Sequence, residues 1–309
     1  MLDPDALFGT LLFPFVSLAV ALILFEGSLG LRLSEIRGLE RVVRRLVGTG
    51  SLISGIVAGL AAYWLVGFGW ELAGLFGALM VVTGPTVVVP MLRAIRPSAA
   101  VSNVLRWEGI VIDPLGALLT VLVFEFIVAS RGGGPVLEVL LHFLLLVAAG
   151  GLIGLAAGYL FGQVLRRHWL PEYLHNVVSL NLVFVVFAGA NLLAEESGLL
   201  AVTIMGIVMA NMRRVPVEGI LDFKESLSLL LISALFVILA ARIQPEAFRQ
   251  LGWGAIGVFL AIQLLGRPLK VAYATWGSRL SPGERVLVAW IGPRGIVAAA
   301  IAALLALRL

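Results

Sequence analysis

The sequence predicts an all-α polytopic membrane protein of about ten spans, and three observations carry that prediction. Of the 309 residues, 61% are hydrophobic, and the mean hydropathy is +1.07. Charged residues make up only 13%, about half the share of a soluble domain. They leave long uncharged runs, in which the backbone must satisfy its own polar groups by forming helices. The basic residues gather in short loops between those runs, the arrangement that sets membrane topology. These features exclude a soluble globular domain, a disordered chain and a nucleic-acid binder, although the pI is near 9.9. The chain has no cysteine, so no disulfide, thiol nucleophile or Cys-ligated metal is available. Its first apolar run is long enough to be a span in its own right, so no cleaved signal peptide is expected.

Taken in order, uncharged stretches of about 20 residues fall at 6–25, 46–66, 72–92, 107–129, 137–163, 173–193, 197–212, 226–241, 250–271 and 286–307. The seventh and eighth are short. If the loop after the first span is cytoplasmic, alternate loops and the cytoplasmic end of the ninth span, with Arg267 and Lys270, place seventeen of the 22 Lys and Arg residues on that side. Arg131, Arg242 and Arg249 remain opposite, while Arg294 lies within the last span and Arg308 at its end. This bias predicts an N-terminus outside the cell. Residues 31–45 are Arg-rich and amphipathic; they read as an ordinary cytoplasmic loop or as a helix lying along the headgroups. Glycines inside the spans, such as Gly48, Gly50, Gly55 and Gly59, or Gly150, Gly151, Gly154 and Gly158, are expected to let helices approach closely.

Few ionisable groups fall within or at the edges of the apolar spans, and those singled out as candidates are Glu26, Glu108, Asp113, Glu125, His142, Arg267 and Arg294. Each is costly in hydrocarbon and therefore a functional candidate that needs a partner. Asp113 lies six residues inward from Trp107, about 9 Å deep at 1.5 Å per residue. Pro114 follows it, so a distorted helix with free carbonyls is expected there. Arg267, about 6 Å from the cytoplasmic edge, matches Glu108 in depth, which predicts a buried Glu108–Arg267 ion pair and leaves Asp113 uncompensated. Glu26 closes the first span; it either faces the same cytoplasmic funnel or is a plain interfacial carboxylate. Glu125 reads as an interfacial or packing residue. His142, His168 and His175 share no ligand spacing with carboxylates, so no metal site is expected.

Two spans carry Gly/Pro interruptions. One is Thr83-Gly84-Pro85-Thr86, and the other is Gly292-Pro293-Arg294-Gly295. By the topology above the two spans run in opposite directions. Paired interruptions in oppositely directed spans point to an inverted-repeat secondary transporter with its site at the crossing, although two ordinary proline kinks would look the same. Under the transporter reading, Arg294 neutralises the C-terminal ends of the half-helices.

The chain resembles the monovalent cation:proton antiporter-1 family, the electroneutral branch of the sodium/proton exchangers. The resemblance spans essentially the whole chain through Leu24-Phe25-Glu26-Gly27, Thr83-Gly84-Pro85-Thr86, Trp107-Glu108-Gly109 with Ile112-Asp113, Gly266-Arg267-Pro268 and Gly292-Pro293-Arg294-Gly295. It implies the inverted-repeat sodium/proton antiporter fold with two crossing discontinuous helices. It also implies a homodimer, with a core ion-translocation bundle (46–130 and 246–309) rocking against interface helices (1–45 and 165–245) joined by a linking helix (131–164). Asp113 would bind cation and proton alternately, with Thr83 and Glu26 contributing to the ion site and Glu108 with Arg267 as the structural ion pair. Three positions depart from the family pattern. Gly84 stands where an Asp is usual, Ile112 where an Asn is usual, and Gly109 where a Ser is usual. A branch with Thr-Gly-Pro-Thr is similar, and it often carries a cytoplasmic nucleotide-binding regulatory domain. Matching Leu24 to Gly27 with the family's third helix implies two helices before Met1 and one after the last, so a fragment of a longer parent is expected.

The resulting expectation is a secondary antiporter that exchanges Na+ or K+ for H+ at Asp113. It would be electroneutral, since a single titrating carboxylate sets one cation against one proton. It needs no cofactor and no metal beyond the transported ion. Its setting is a lipid bilayer, expected to be a bacterial or archaeal inner membrane. Two rivals come from other classes. A channel-like or regulatory membrane subunit would also use broken helices, and transport stoichiometry separates it from an exchanger. An intramembrane aspartyl hydrolase would need a second membrane-embedded Asp beside Asp113, and no Ser–His pair lies at matching depth.

Overall fold

The computed structural model describes residues 8–132, 136–213, 215, 218–241, 245–292, 295, 298 and 302. Among these residues five helices are long and apolar enough to cross a membrane, and four shorter apolar helices accompany them. The chain divides into two compact units, residues 1–35 with 137–242 and residues 36–136 with 243–309. Residues 36–45 therefore go with the second unit and residues 137–164 with the first.

The first unit holds α1 (Leu12–Leu29), α7 (Val136–Arg166), α8 (His175–Leu193), α9 (Ser197–Asn211) and α10 (Glu218–Ala241); α1 and α8 pack on α9, and α10 packs on α1 and α8. Apolar side chains cover α9 on every side, and ten of its fifteen residues are buried, the pattern of a helix enclosed by others. Two faces meet it through missing side chains. Gly150, Gly154 and Gly158 of α7 lie against the backbone of Ser197, Ala201 and Met205, a small-residue stripe at four-residue spacing. Gly151, singled out with them, faces open space instead. On the α1 side, Gly206 accommodates Ser28 and the Phe25 carbonyl. Asn211 then ties the helix end to the chain after α1, donating to the Leu31 carbonyl at 2.9 Å and accepting from the Leu33 amide at 2.8 Å.

The second unit carries the interrupted helices. It contains α2 (Glu40–Val47), α3 (Thr49–Ala61, extended by a π-helical turn to Val66), α4 (Trp70–Leu79), α5 (Pro85–Ile95) and α6 (Ala99–Gly132). Further along come α11 (Pro245–Ala261), a π-helical turn at Ile262–Gly266, α12 (Arg267–Ala274) and α13 (Pro282–Trp290). The third sequence span is thus two helices, α4 and α5, separated by non-helical residues 80–84. The physical cause is local. Gly84 is extended at φ −82°, ψ 142°, as a residue before proline prefers, and Pro85 opens α5 at a position where its missing N–H costs nothing. The last span is interrupted in the same way, since α13 ends at Trp290 and Ile291 is extended at φ −83°, ψ 100°. The two breaks cross. A Cβ placed on Gly295 would lie 2.5 Å from the Cα of Gly84, closer than any side chain tolerates.

Pro114 behaves differently from the expectation of a distorted helix. The helix α6 runs unbroken from Ala99 to Gly132 with Pro114 inside it. A proline removes one hydrogen bond, here the one to the Ile110 carbonyl, and inside a membrane bundle neighbouring elements can hold the helix together around that loss.

Candidate functional site

Asp113 is completely buried in α6. Neither of its carboxylate oxygens has a hydrogen-bond partner among the described residues. Thr83, in the break between α4 and α5, is 3% exposed, and its hydroxyl is likewise unpartnered. The backbone brings the two neighbourhoods together. A Cβ on Gly116, one turn beyond Asp113, would meet Val82, the residue before Thr83, at 2.5 Å from Cγ2 and 3.4 Å from Cα. Buried polar groups are almost always satisfied. A carboxylate and a hydroxyl left open beside a helix break therefore form a place suited to a small cation or a proton.

The nearby positive charge is committed elsewhere. Glu108, 1% exposed and five residues before Asp113, receives the Arg267 guanidinium in a bidentate pair, with Nη2 donating to Oε2 at 2.8 Å and Nη1 to Oε1. Lys270 adds a third contact, its Nζ 2.7 Å from Glu108 Oε1. Both cations are buried, Arg267 at 3% and Lys270 at 1% exposure. Lys270 stands at the cytoplasmic end of the ninth sequence span, where a lysine ordinarily meets water, but it lies in the buried ion cluster. The signal was the three-residue spacing of Arg267 and Lys270, which puts both on one face of a helix.

The same guanidinium serves a second end. Arg267 Nη2 also donates to the carbonyls of Ile291 at 2.7 Å and Val288 at 3.2 Å, and Gln263 donates to the Trp290 carbonyl at 2.8 Å. These carbonyls form the C-terminal, electronegative end of α13, which a cation stabilises. Gly292 makes room for this arrangement, since a Cβ there would lie 3.0 Å from Arg267 Cδ and Nε. Arg267 thus caps this end; Arg294, of which a capping role was expected, and Pro293 lie outside the described residues. Pro85 and Thr86 begin α5. Glu26 lies in the first unit on α1, partly exposed between Phe25 and Ser28.

Interrupted helices crossing at Gly84 and Gly295, beside a buried unpartnered carboxylate, define a membrane-embedded secondary transporter. The sequence model of the transmembrane sodium/hydrogen exchangers matches residues 10–308, and the chain belongs to that family. Among its relatives is the Na(+)/H(+) antiporter NhaH of Halobacillus aidingensis, 27% identical over 299 residues, covering 93% of this chain and 73% of that protein. Another is the K(+)/H(+) antiporter NhaP of Alkalimonas amylolytica, 27% identical over 283 residues, covering 91% of this chain and 49% of that protein. The fold is that of the sodium proton antiporter MjNhaP1 of Methanocaldococcus jannaschii, with a TM-score of 0.82 over 99% of this chain and 75% of that one, at 24% identity.

Proposed function

We propose that this multi-pass membrane protein is a transporter and not an enzyme, exchanging Na+ or K+ for H+ by competition at Asp113, one cation for one proton. The observation that carries the reading is the division of charge along α6. Glu108 takes up Arg267 and Lys270, while Asp113 is buried with both oxygens open. A carboxylate without a resident partner can release a proton to water and accept a cation in its place, whereas one locked between two cations cannot. Thr83, with its open hydroxyl, is the proposed additional oxygen ligand. Glu108 and Arg267 are proposed as structural, holding α6 to the helix that caps α13. Relatives named as Na+/H+ and K+/H+ antiporters support the choice of monovalent cation and proton as substrates.

The distribution of Lys and Arg supports an N-terminus outside, relatives from bacteria and archaea support a prokaryotic inner membrane as the setting, and the family resemblance supports a homodimer. Glu26 enters the proposal through that resemblance alone, and it is the acid that would change the stoichiometry if it also titrated. The test is cation-driven proton movement in proteoliposomes, with Na+ and K+ supplied separately and the membrane potential clamped at balanced ion gradients. The proposal expects dequenching of an internal pH dye with at least one cation and no net flux driven by potential. Flux that reverses with the potential would contradict one-for-one exchange, and no response to either cation would contradict antiport.

A further inference from the structure

The helix α2 has two faces of opposite character. Val42, Val43 and Leu46 are buried, packing toward α6 and α12, while Arg41 and Arg44 are exposed on the other side. Neither arginine has a hydrogen-bond or ion-pair partner among the described residues. Both line a cleft of about 320 Å³ whose far wall is the turn after α12, including Trp276 and Ser278. Trp276 is 80% exposed. The Ser278 hydroxyl is shielded from solvent yet has no partner among the described residues. The one carboxylate in the lining, Glu40, is already engaged, accepting from the Gly38 amide at 2.8 Å. Arg45 fixes the two walls to each other. It donates to the Trp276 carbonyl at 3.0 Å, and its guanidinium stands 5.8 Å from the centre of the Tyr273 ring.

We infer that this cleft is a binding site for the phosphate headgroup of an anionic membrane lipid, held by Arg41 and Arg44 and flanked by Trp276. The chemistry converges on that occupant from independent directions. Two free guanidiniums present the forked donors that match a phosphodiester. An exposed tryptophan beside them belongs at headgroup depth, where its ring meets acyl chains and its N–H meets water. The helix α2 begins the segment Glu40–Val66, which is long and apolar enough to cross a membrane, and basic residues at the start of such a segment meet lipid headgroups. All of these residues fall on the side where the basic loops gather, the side that faces anionic lipid. Because α2 packs on α6 and α12, an occupied cleft braces the helices that carry Glu108, Asp113, Arg267 and Lys270.

The test uses the full chain, purified and delipidated in detergent, and reads lipid retention by native mass spectrometry together with the thermal unfolding midpoint. Phosphatidylglycerol is added to wild type, to the Arg41→Gln/Arg44→Gln double variant, and to Arg166→Gln/Arg167→Gln as a charge-matched control. Phosphatidylglycerol is expected to be retained by wild type and the control and to raise their unfolding midpoint. Phosphatidylcholine should do neither. The double variant should lose retention by about tenfold or more while keeping the wild-type midpoint without lipid. Equal retention by the double variant, or equal loss in the control, would overturn the inference. So would an equal midpoint shift from soluble glycerophosphate, which would make the occupant a free phosphate. Neither readout depends on transport, so failure here leaves the exchange reading standing.

Discussion

A buried carboxylate with no hydrogen bond is among the least favourable groups a folded chain can hold, costing at least about 1–3 kcal/mol in lost solvation. Asp113 is such a group, whereas Glu108 five residues away is saturated by two cations. On their contrast rests the proposed division between an ion site at Asp113 and a structural pair at Glu108. It also sets an order of stability. Glu108→Gln leaves Arg267 and Lys270 buried without their counter-charge and should cost about 3–5 kcal/mol. Lys270→Met leaves the bidentate Glu108–Arg267 pair in place and should cost much less. Unfolding midpoints measured in one detergent check this, and equal losses would mean that Lys270 contributes as much as the carboxylate it contacts. At this scale the burial of Asp113 was legible from its apolar surroundings, and an acid kept there is what makes it the proposed ion site. The role of Lys270 was hidden, because it sits at a span edge where a lysine ordinarily faces water.

Among the elements, the interrupted helices were the most legible, because glycine and proline act through local backbone geometry. Gly84 before Pro85 must be extended, and Pro85 suits the first turn of α5. Pro114 shows the limit of the same reasoning, since a proline in a supported membrane helix is carried through without a break. The start of α13 adds a pH-dependent contact. Ser281 and Glu284 form a capping box, with the Ser281 amide donating to Glu284 Oε2 at 2.8 Å, while the Ser98 hydroxyl donates to Oε1 at 2.6 Å. The Ser98 hydroxyl and then the Ser281 donors hold the Glu284 carboxyl below its ordinary value of 4.5. A depressed carboxylate stabilises the fold at pH above that ordinary value and loses the contribution as pH falls through its own lower one. Protection of the amides in the first turn of α13, taken as exchange relative to the intrinsic rate at each pH, should therefore fall below about pH 4.5 in wild type. In Glu284→Gln the acid-induced change should disappear; if it persists, another group is responsible.

For the whole molecule, hydropathy and the placement of Lys and Arg were enough to read a polytopic membrane protein, because the bilayer constrains every span alike. The ends of helices were less legible. The short helix α2 and the π-helical turn before Arg267 depend on tertiary packing, which periodicity does not register. The contact pattern also groups residues 36–45 with the unit that holds the interrupted helices, a placement no local signal carries. Within that unit, the crossing at Gly84 and Gly295 brings a helix break beside the acid on α6, and the account turns on that acid. The most direct test compares wild type with Asp113→Asn in proteoliposomes, following cation-dependent proton movement with an internal pH dye. The account predicts a signal from wild type and none from the variant, with the variant folded and at least as stable, since it removes an unpartnered buried charge. Equal signals from the two proteins would contradict it and make Asp113 a structural residue.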